Sequence, residues 1–167
     1  PRPGAATTTA TPVETPDDAA PPAPRRTPLS GARPWLLPLG VVVLACALPL
    51  VELWRGPGPP MEEGFMLAFP ELVLKGEVPN RDFLYLYGPG SLWVLAGAFK
   101  VFGTTLATER AIGFLQQLGI VFGVVALVRP WGRWVAAAGG VVAAVIVIPP
   151  IGLTALAWTG GVALGLW

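Results

Sequence analysis

The sequence predicts an all-α integral membrane protein, a helical bundle that carries juxtamembrane helices in its first outer loop. Three observations lead there. Hydrophobic residues make up 53% of the 167 positions and charged residues only 13%, and the mean hydropathy of +0.63 lies outside the usual range of a soluble domain. The apolar residues are gathered into runs of membrane-spanning length separated by Gly, Pro and basic residues. The remaining charge is concentrated at 61–102, where Glu62, Glu63, Glu71, Glu77 and Asp82 face Lys75, Arg81 and Lys100.

Composition also narrows the chemistry. A net charge of +1, with basic residues that form no phosphate-tracking cluster, points away from nucleic acid. The single cysteine, Cys46, lies in an apolar run and pairs with no other in the chain. Histidine is absent, which excludes a His-based triad, a His-ligated haem and the common zinc sites. Carboxylates are left as the candidates for acid, base or metal work.

Residues 1–34 are rich in Pro, Ala and Thr and cannot bury enough apolar surface to offset chain entropy, so a disordered tail is expected. Arg25, Arg26 and Arg33 precede the first apolar run and make that tail cytoplasmic under the positive-inside rule. The run at 35–54 is long enough to span once, with Trp35 and Trp54 at its interfaces. Gly-Pro-Gly-Pro-Pro at 56–60 then breaks it and opens an outer loop, 55–106.

Within that loop a surface helix is expected at 62–75, with Phe65, Phe69, Leu72 and Val73 on its apolar stripe and a kink at Pro70. A polar turn follows at 77–82. The next apolar run, 91–102, includes Lys100 and is too short to cross, which fits a second interfacial helix. Charge supports this, because the following span at 107–128 ends in Arg129-Pro-Trp-Gly-Arg133, a basic turn that belongs in the cytoplasm. In that span Gly119 and Gly123 allow a close helix approach, and Gln116 and Gln117 require partners inside a bundle. A third span is expected at 134–150, broken by Pro149-Pro150, and a fourth at 151–167. The chain begins within the tail and stops inside an apolar run, as expected of a piece truncated at its C-terminus, inactive by itself.

Each charged feature of the loop has two readings. Glu62 and Glu63 fit an acidic first turn at the positive end of a helix, or a general base or divalent-ion site at a lipid interface. Arg81-Asp82 reads as a solvated turn or, through Arg81, as a phosphate grip. Tyr85 and Tyr87 read as an interfacial belt or a platform for a sugar. Arg110, at the mouth of a span, reads as a snorkelling anchor or as an inward arginine that neutralises a lipid phosphate.

The ordered set of Glu62-Glu63-Gly64, Gly-Glu-Val-Pro-Asn-Arg-Asp-Phe at 76–83, Tyr-Gly-Pro-Gly at 87–90, Phe102-Gly103 and Arg110 resembles the GT-C membrane glycosyltransferases. It is similar to the N-terminal part of the protein O-mannosyltransferase and lipid A aminoarabinose transferase-like group, over roughly 35–133. The resemblance implies transfer of a sugar from a polyprenyl-phosphate donor to a glycan, lipid or protein acceptor at the outer face of what is expected to be the plasma membrane. Glu62 takes the place of the family's catalytic Asp, with Glu63 as its partner acid and a divalent metal ion on Glu62 as an accompanying expectation. Asp82 matches a loop acid, and Arg81, Tyr85, Tyr87 and Arg110 are the expected substrate contacts. Three departures stand out: Glu replaces Asp at 62, Tyr-Gly-Pro-Gly stands where one branch has Lys-Pro-Pro, and no acid appears at 149–158. A transporter or flippase-like protein, or an assembly subunit without chemistry, is the alternative expectation.

Overall fold

The structure, a computed structural model, describes residues 33–167. All but the last two positions of the expected tail therefore lie outside the described residues. The chain is an all-α membrane protein: the stretches Pro34–Arg55, Leu106–Trp131 and Arg133–Ile151 are long and apolar enough to cross a membrane, and no strand occurs among the described residues.

The first stretch is two helices, α1 (Arg33–Ala47) and α2 (Leu50–Arg55). Pro38 is accommodated within α1, whereas Pro49, which has no N–H to donate, marks the break. Bonding resumes when Leu53 donates to the Pro49 carbonyl at 3.0 Å. Then come α3 (Pro60–Leu74), α4 (Pro89–Phe102), α5 (Leu106–Val128), a 3-10 turn at Arg129–Trp131, α6 (Arg133–Ile151) and α7 (Ala157–Gly165).

Three local expectations are corrected. Helix α3 runs through Pro70 without dividing, because Met66 and Val73 to either side pack with Leu92, Leu95, Ala96 and Phe99 of α4 into one core and hold both halves in line. Its inward stripe is Glu63, Met66, Pro70 and Val73, displaced from the expected one, and Phe65 is about half exposed. The displacement follows from Glu63, a carboxylate that turns inward because a cation meets it there. Finally, Pro149-Pro150 do not end α6. The carbonyls they leave unbonded belong to Val145 and Ile146, on the exposed face of the turn before the last, and the helix stops at Gly152, whose φ of 70° favours glycine. The run 151–167 is consequently not one helix but a connector, 152–156, followed by the nine residues of α7.

The first core joins α1, α5 and α6 through Val42, Cys46, Val121, Val125, Ala137 and Ala144. Close approach there depends on Gly140, where a Cβ would stand 2.5 Å from Val125 and 3.0 Å from Val42. The expected use of Gly119 and Gly123 is seen against the C-terminal helix: their Cβ positions lie 3.0 Å from Ala163 and 2.7 Å from Leu166. The second core joins α3 and α4 with Tyr85 and Ala155.

The two ends of the bundle differ in chemistry. At one, the Arg129 guanidinium sits 5.8 Å from the Trp35 ring centre, bringing the α5–α6 turn beside the start of α1. At the other, Arg110 near the start of α5 is bonded to the end of α2, so α1–α2 and α5 run antiparallel. Helix α4, at 14 residues, reaches about 21 Å, less than the roughly 30 Å hydrocarbon core. Its inner stripe is buried, while Trp93, Val94, Val101 and Phe102 are exposed, so it is apolar on both faces.

Candidate functional site

The site is built where α2 ends and α3 and α5 begin. Thr105 caps α5, its Oγ accepting from the Thr108 N–H at 3.1 Å, and this places Glu109 and Arg110 in the first turns with both side chains buried. Arg110 donates through Nε to Glu63 Oε1 at 2.8 Å and through a terminal nitrogen to Glu63 Oε2 at 3.1 Å. Its other bonds go to the carbonyls of Leu53, Trp54 and Gly56, at 3.2, 2.6 and 3.0 Å. All five guanidinium N–H groups are thereby engaged. The last carbonyls of α2, which have no partner in their own helix, are capped by a cation at the negative end of the helix dipole.

Gly58 leaves the space that the Glu63 carboxylate occupies, since a Cβ there would overlap it. Glu63 thus gives both oxygens to Arg110. Of the two acids expected to share catalytic duty, one is the anchor of α3 and the other makes no hydrogen bond or ion pair among the described residues. Glu62 is exposed at the first turn of α3 and lines a cavity of about 240 Å3 together with Pro59, Pro150, Ile151, Thr154 and Leu156. As a metal ligand Glu62 stands by itself, since among the described residues no group of three or more acidic, cysteine or histidine side chains is placed to hold an ion. A divalent ion there would draw most of its oxygen ligands from water or substrate.

The cavity's far wall is the connector 152–156, which lies along one stripe of α5 formed by Glu109, Gly113 and Gln117, each four residues from the next. Glu109 accepts from the Ala155 N–H at 2.8 Å, and Gln117 donates to the Gly152 carbonyl. Between them Gly113 has no side chain to strike the Leu153 carbonyl. Glu109 Oε2, Gln117 Oε1 and Thr154 Oγ are buried without a hydrogen-bond partner among the described residues. Gln116, the other glutamine expected to need a partner, accepts from Thr159 of α7 at 2.7 Å.

The remaining expected site residues lie at the opposite end of α3. Asp82 accepts from the Val78 N–H at 2.7 Å and from Arg81 at 3.0 and 2.8 Å, closing an exposed turn. The Arg81 hydrogen bond and the Val78 N–H hold the Asp82 carboxyl below its ordinary range, and Asp82 raises Arg81. Asn80, at φ 64°, accepts from the Tyr85 N–H at 3.0 Å and fixes the return of the chain. Tyr85 is 4% exposed and packs edge-on between Phe69 and Tyr87, so its ring face is an interior surface. Tyr87 is 50% exposed.

Glu62, Glu63 and Arg110 are therefore brought together, and Arg81, Asp82, Tyr85 and Tyr87 form a separate group. Glu109, Gln117 and Thr154 were not among the expected site residues. The spacing of Glu109, Gly113 and Gln117 on one helical face carried a signal for the first two; for Thr154 there was none. Comparison with family models, with curated proteins and with solved structures finds no match to this chain.

Proposed function

We propose that this chain is the N-terminal part of a membrane glycosyltransferase that moves a sugar from a polyprenyl-phosphate donor to an acceptor hydroxyl at the outer membrane face, with Glu62 as base. One observation carries the reading: the acidic pair is divided, Glu63 being locked by Arg110 while the adjacent Glu62 is exposed at the edge of a small cavity. A base has to be within reach of the proton it removes, and it has to be held still. The Glu63–Arg110 pair meets the second need by tying the first turn of α3 to α2 and α5. In the step itself Glu62 takes the acceptor's proton and the acceptor oxygen forms a bond to the anomeric carbon. The bond from that carbon to the lipid phosphate breaks, and the phosphate leaves with the electron pair.

The topology fits the same reading. Arg129 and Arg133 lie with the start of α1 at one end, as a cytoplasmic side requires, and the Glu62 cavity is at the other. A lipid-linked donor reaches that side within the bilayer, whereas nucleotide sugars do not.

The test is glycan transfer in membranes containing the full-length protein with Glu62→Gln, Glu63→Gln or Asp82→Asn. Loss of about 100-fold or more is expected for Glu62→Gln, the range for removing a general base. Asp82→Asn is expected to retain most activity. Wild-type turnover by Glu62→Gln would sink the reading.

A transporter is the second reading, favoured by the non-helical connector 152–156 packed on buried Glu109 and Gln117, since broken helices at membrane depth are common in ion pathways. Ion flux into vesicles that is abolished by Glu109→Gln and indifferent to Glu62→Gln would decide for it.

A further inference from the structure

We propose that the chain pairs with a second copy of itself in the bilayer, through the groove between α4, α5 and α7, with Gln116 of each copy hydrogen-bonded to Gln116 of the other. The groove has a volume of about 680 Å3, and no charged side chain lines it. Gly88 and Gly90 at the start of α4, and Gly160 and Gly161 of α7, leave its walls thin enough for a neighbouring backbone to come close. Two polar side chains stand on those walls. Ser91 donates to the Gly88 carbonyl at 3.5 Å. Gln116 has one end of its amide on Thr159 at 2.7 Å, while its Nε2, 3.0 Å from where a Cβ of Gly160 would stand, makes no hydrogen bond among the described residues.

Depth selects the occupant. Gln116 is the eleventh of the 23 residues of α5, about 15 Å from its start and so half-way through a hydrocarbon core of roughly 30 Å. A lipid carries its polar atoms at the bilayer surface, so a hydrocarbon chain in the groove leaves the amide unpaired. A helix brings a polar side chain to that depth. Among the described residues, α1 and α6 have no hydroxyl or amide side chain, and Gln117 and Thr159 are fully buried within the protomer. Gln116 is thus the group that this chain offers to a neighbour there. An amide both donates and accepts, so two copies of Gln116 satisfy each other about a two-fold axis, and no like charges meet. Leu115 and Leu164, on the groove's rim and 60% and 82% exposed, are the ridges that each copy sets into the other's groove. None of this depends on the role of Glu62.

The experiment uses the full-length protein in lipid vesicles, with Cys46→Ser in the background and Gly161→Cys as a reporter on the groove wall, where an added Cβ meets nothing within 4 Å. Oxidation with membrane-permeant iodine is expected to give a disulfide-linked homodimer that requires Gly161→Cys, and dilution with lipid gives the strength of association. Gln116→Leu is expected to weaken association about tenfold, and Gln116→Asn to keep it within about threefold. Thr159→Val removes the bond that Gln116 makes inside the protomer and is expected to leave the crosslink, which separates loss of the contact from loss of the fold. Four outcomes would each overturn the pairing: no homodimer dependent on Gly161→Cys, crosslinking through that position only to another polypeptide, undiminished association in Gln116→Leu, or an equal loss in Thr159→Val.

Discussion

Arg110 is the residue on which the site depends, because it neutralises a buried carboxylate and ends a helix with the same five N–H groups. Arg110→Ala leaves Glu63 buried without its counter-ion and should cost about 3–5 kcal/mol, read as a large fall in the midpoint of thermal unfolding in detergent. Replacing both partners, Glu63→Gln with Arg110→Met, should recover part of that loss, since no charge is then stranded. If the double variant is as unstable as Arg110→Ala, the main role of Arg110 is capping α2 and not pairing with Glu63. The residue types here were visible in the chain, but the division of labour was not. Glu62 and Glu63 are chemically identical neighbours, and only the 100° step between adjacent positions on α3 sends one inward to Arg110 and the other to the cavity.

At the scale of elements, the connector and the turn at 78–82 make opposite demands. The connector needs absence of bulk: Gly113→Ala drives a Cβ into the Leu153 backbone and should cost on the order of 1–3 kcal/mol while loosening the wall that holds Thr154. Unchanged thermal stability of Gly113→Ala would contradict the packing described. The turn at 78–82 depends on a carboxylate. Since Arg81 and the Val78 N–H hold Asp82 below its ordinary value of 3.8, the turn's stabilisation is full at neutral pH and persists as pH falls toward that value. It is lost only as pH falls through the depressed value, when the native carboxylate takes up its proton. Amide exchange at Val78 should therefore show protection that survives mild acid in the wild type. In Asp82→Asn protection is weaker and lacks that acid transition. Helix existence in this region was legible from apolar period and breakers. The prolines were less so: Pro70 read as a kink that could divide α3, yet α3 is continuous, and α6 carries Pro149-Pro150 inside its last turn and stops one residue beyond the expected end.

For the whole molecule, the central question is how many times the chain crosses. The short α4, the antiparallel pairing of α1–α2 with α5 and the clustering of Trp35 with Arg129 put α3, α4 and the connector at one end. A cysteine placed at Gly103, between α4 and α5, should accordingly be labelled by an impermeant thiol reagent from the outer side. Labelling only from the cytoplasmic side would require α4 to span and would invert everything after it.

The sequence by itself determined that this is a helical membrane protein, that the apolar run 91–102 is shorter than the others, and that its carboxylates gather after the first span. These follow from hydropathy, run length and residue type, which are local quantities. Tertiary structure alone decided that Glu63 belongs to Arg110, 47 positions away, that Tyr85 is interior, and that Thr159 of α7 meets Gln116 of α5. Each of these depends on which distant surfaces share a core, and a buried charge or hydroxyl is read only once the group facing it is known.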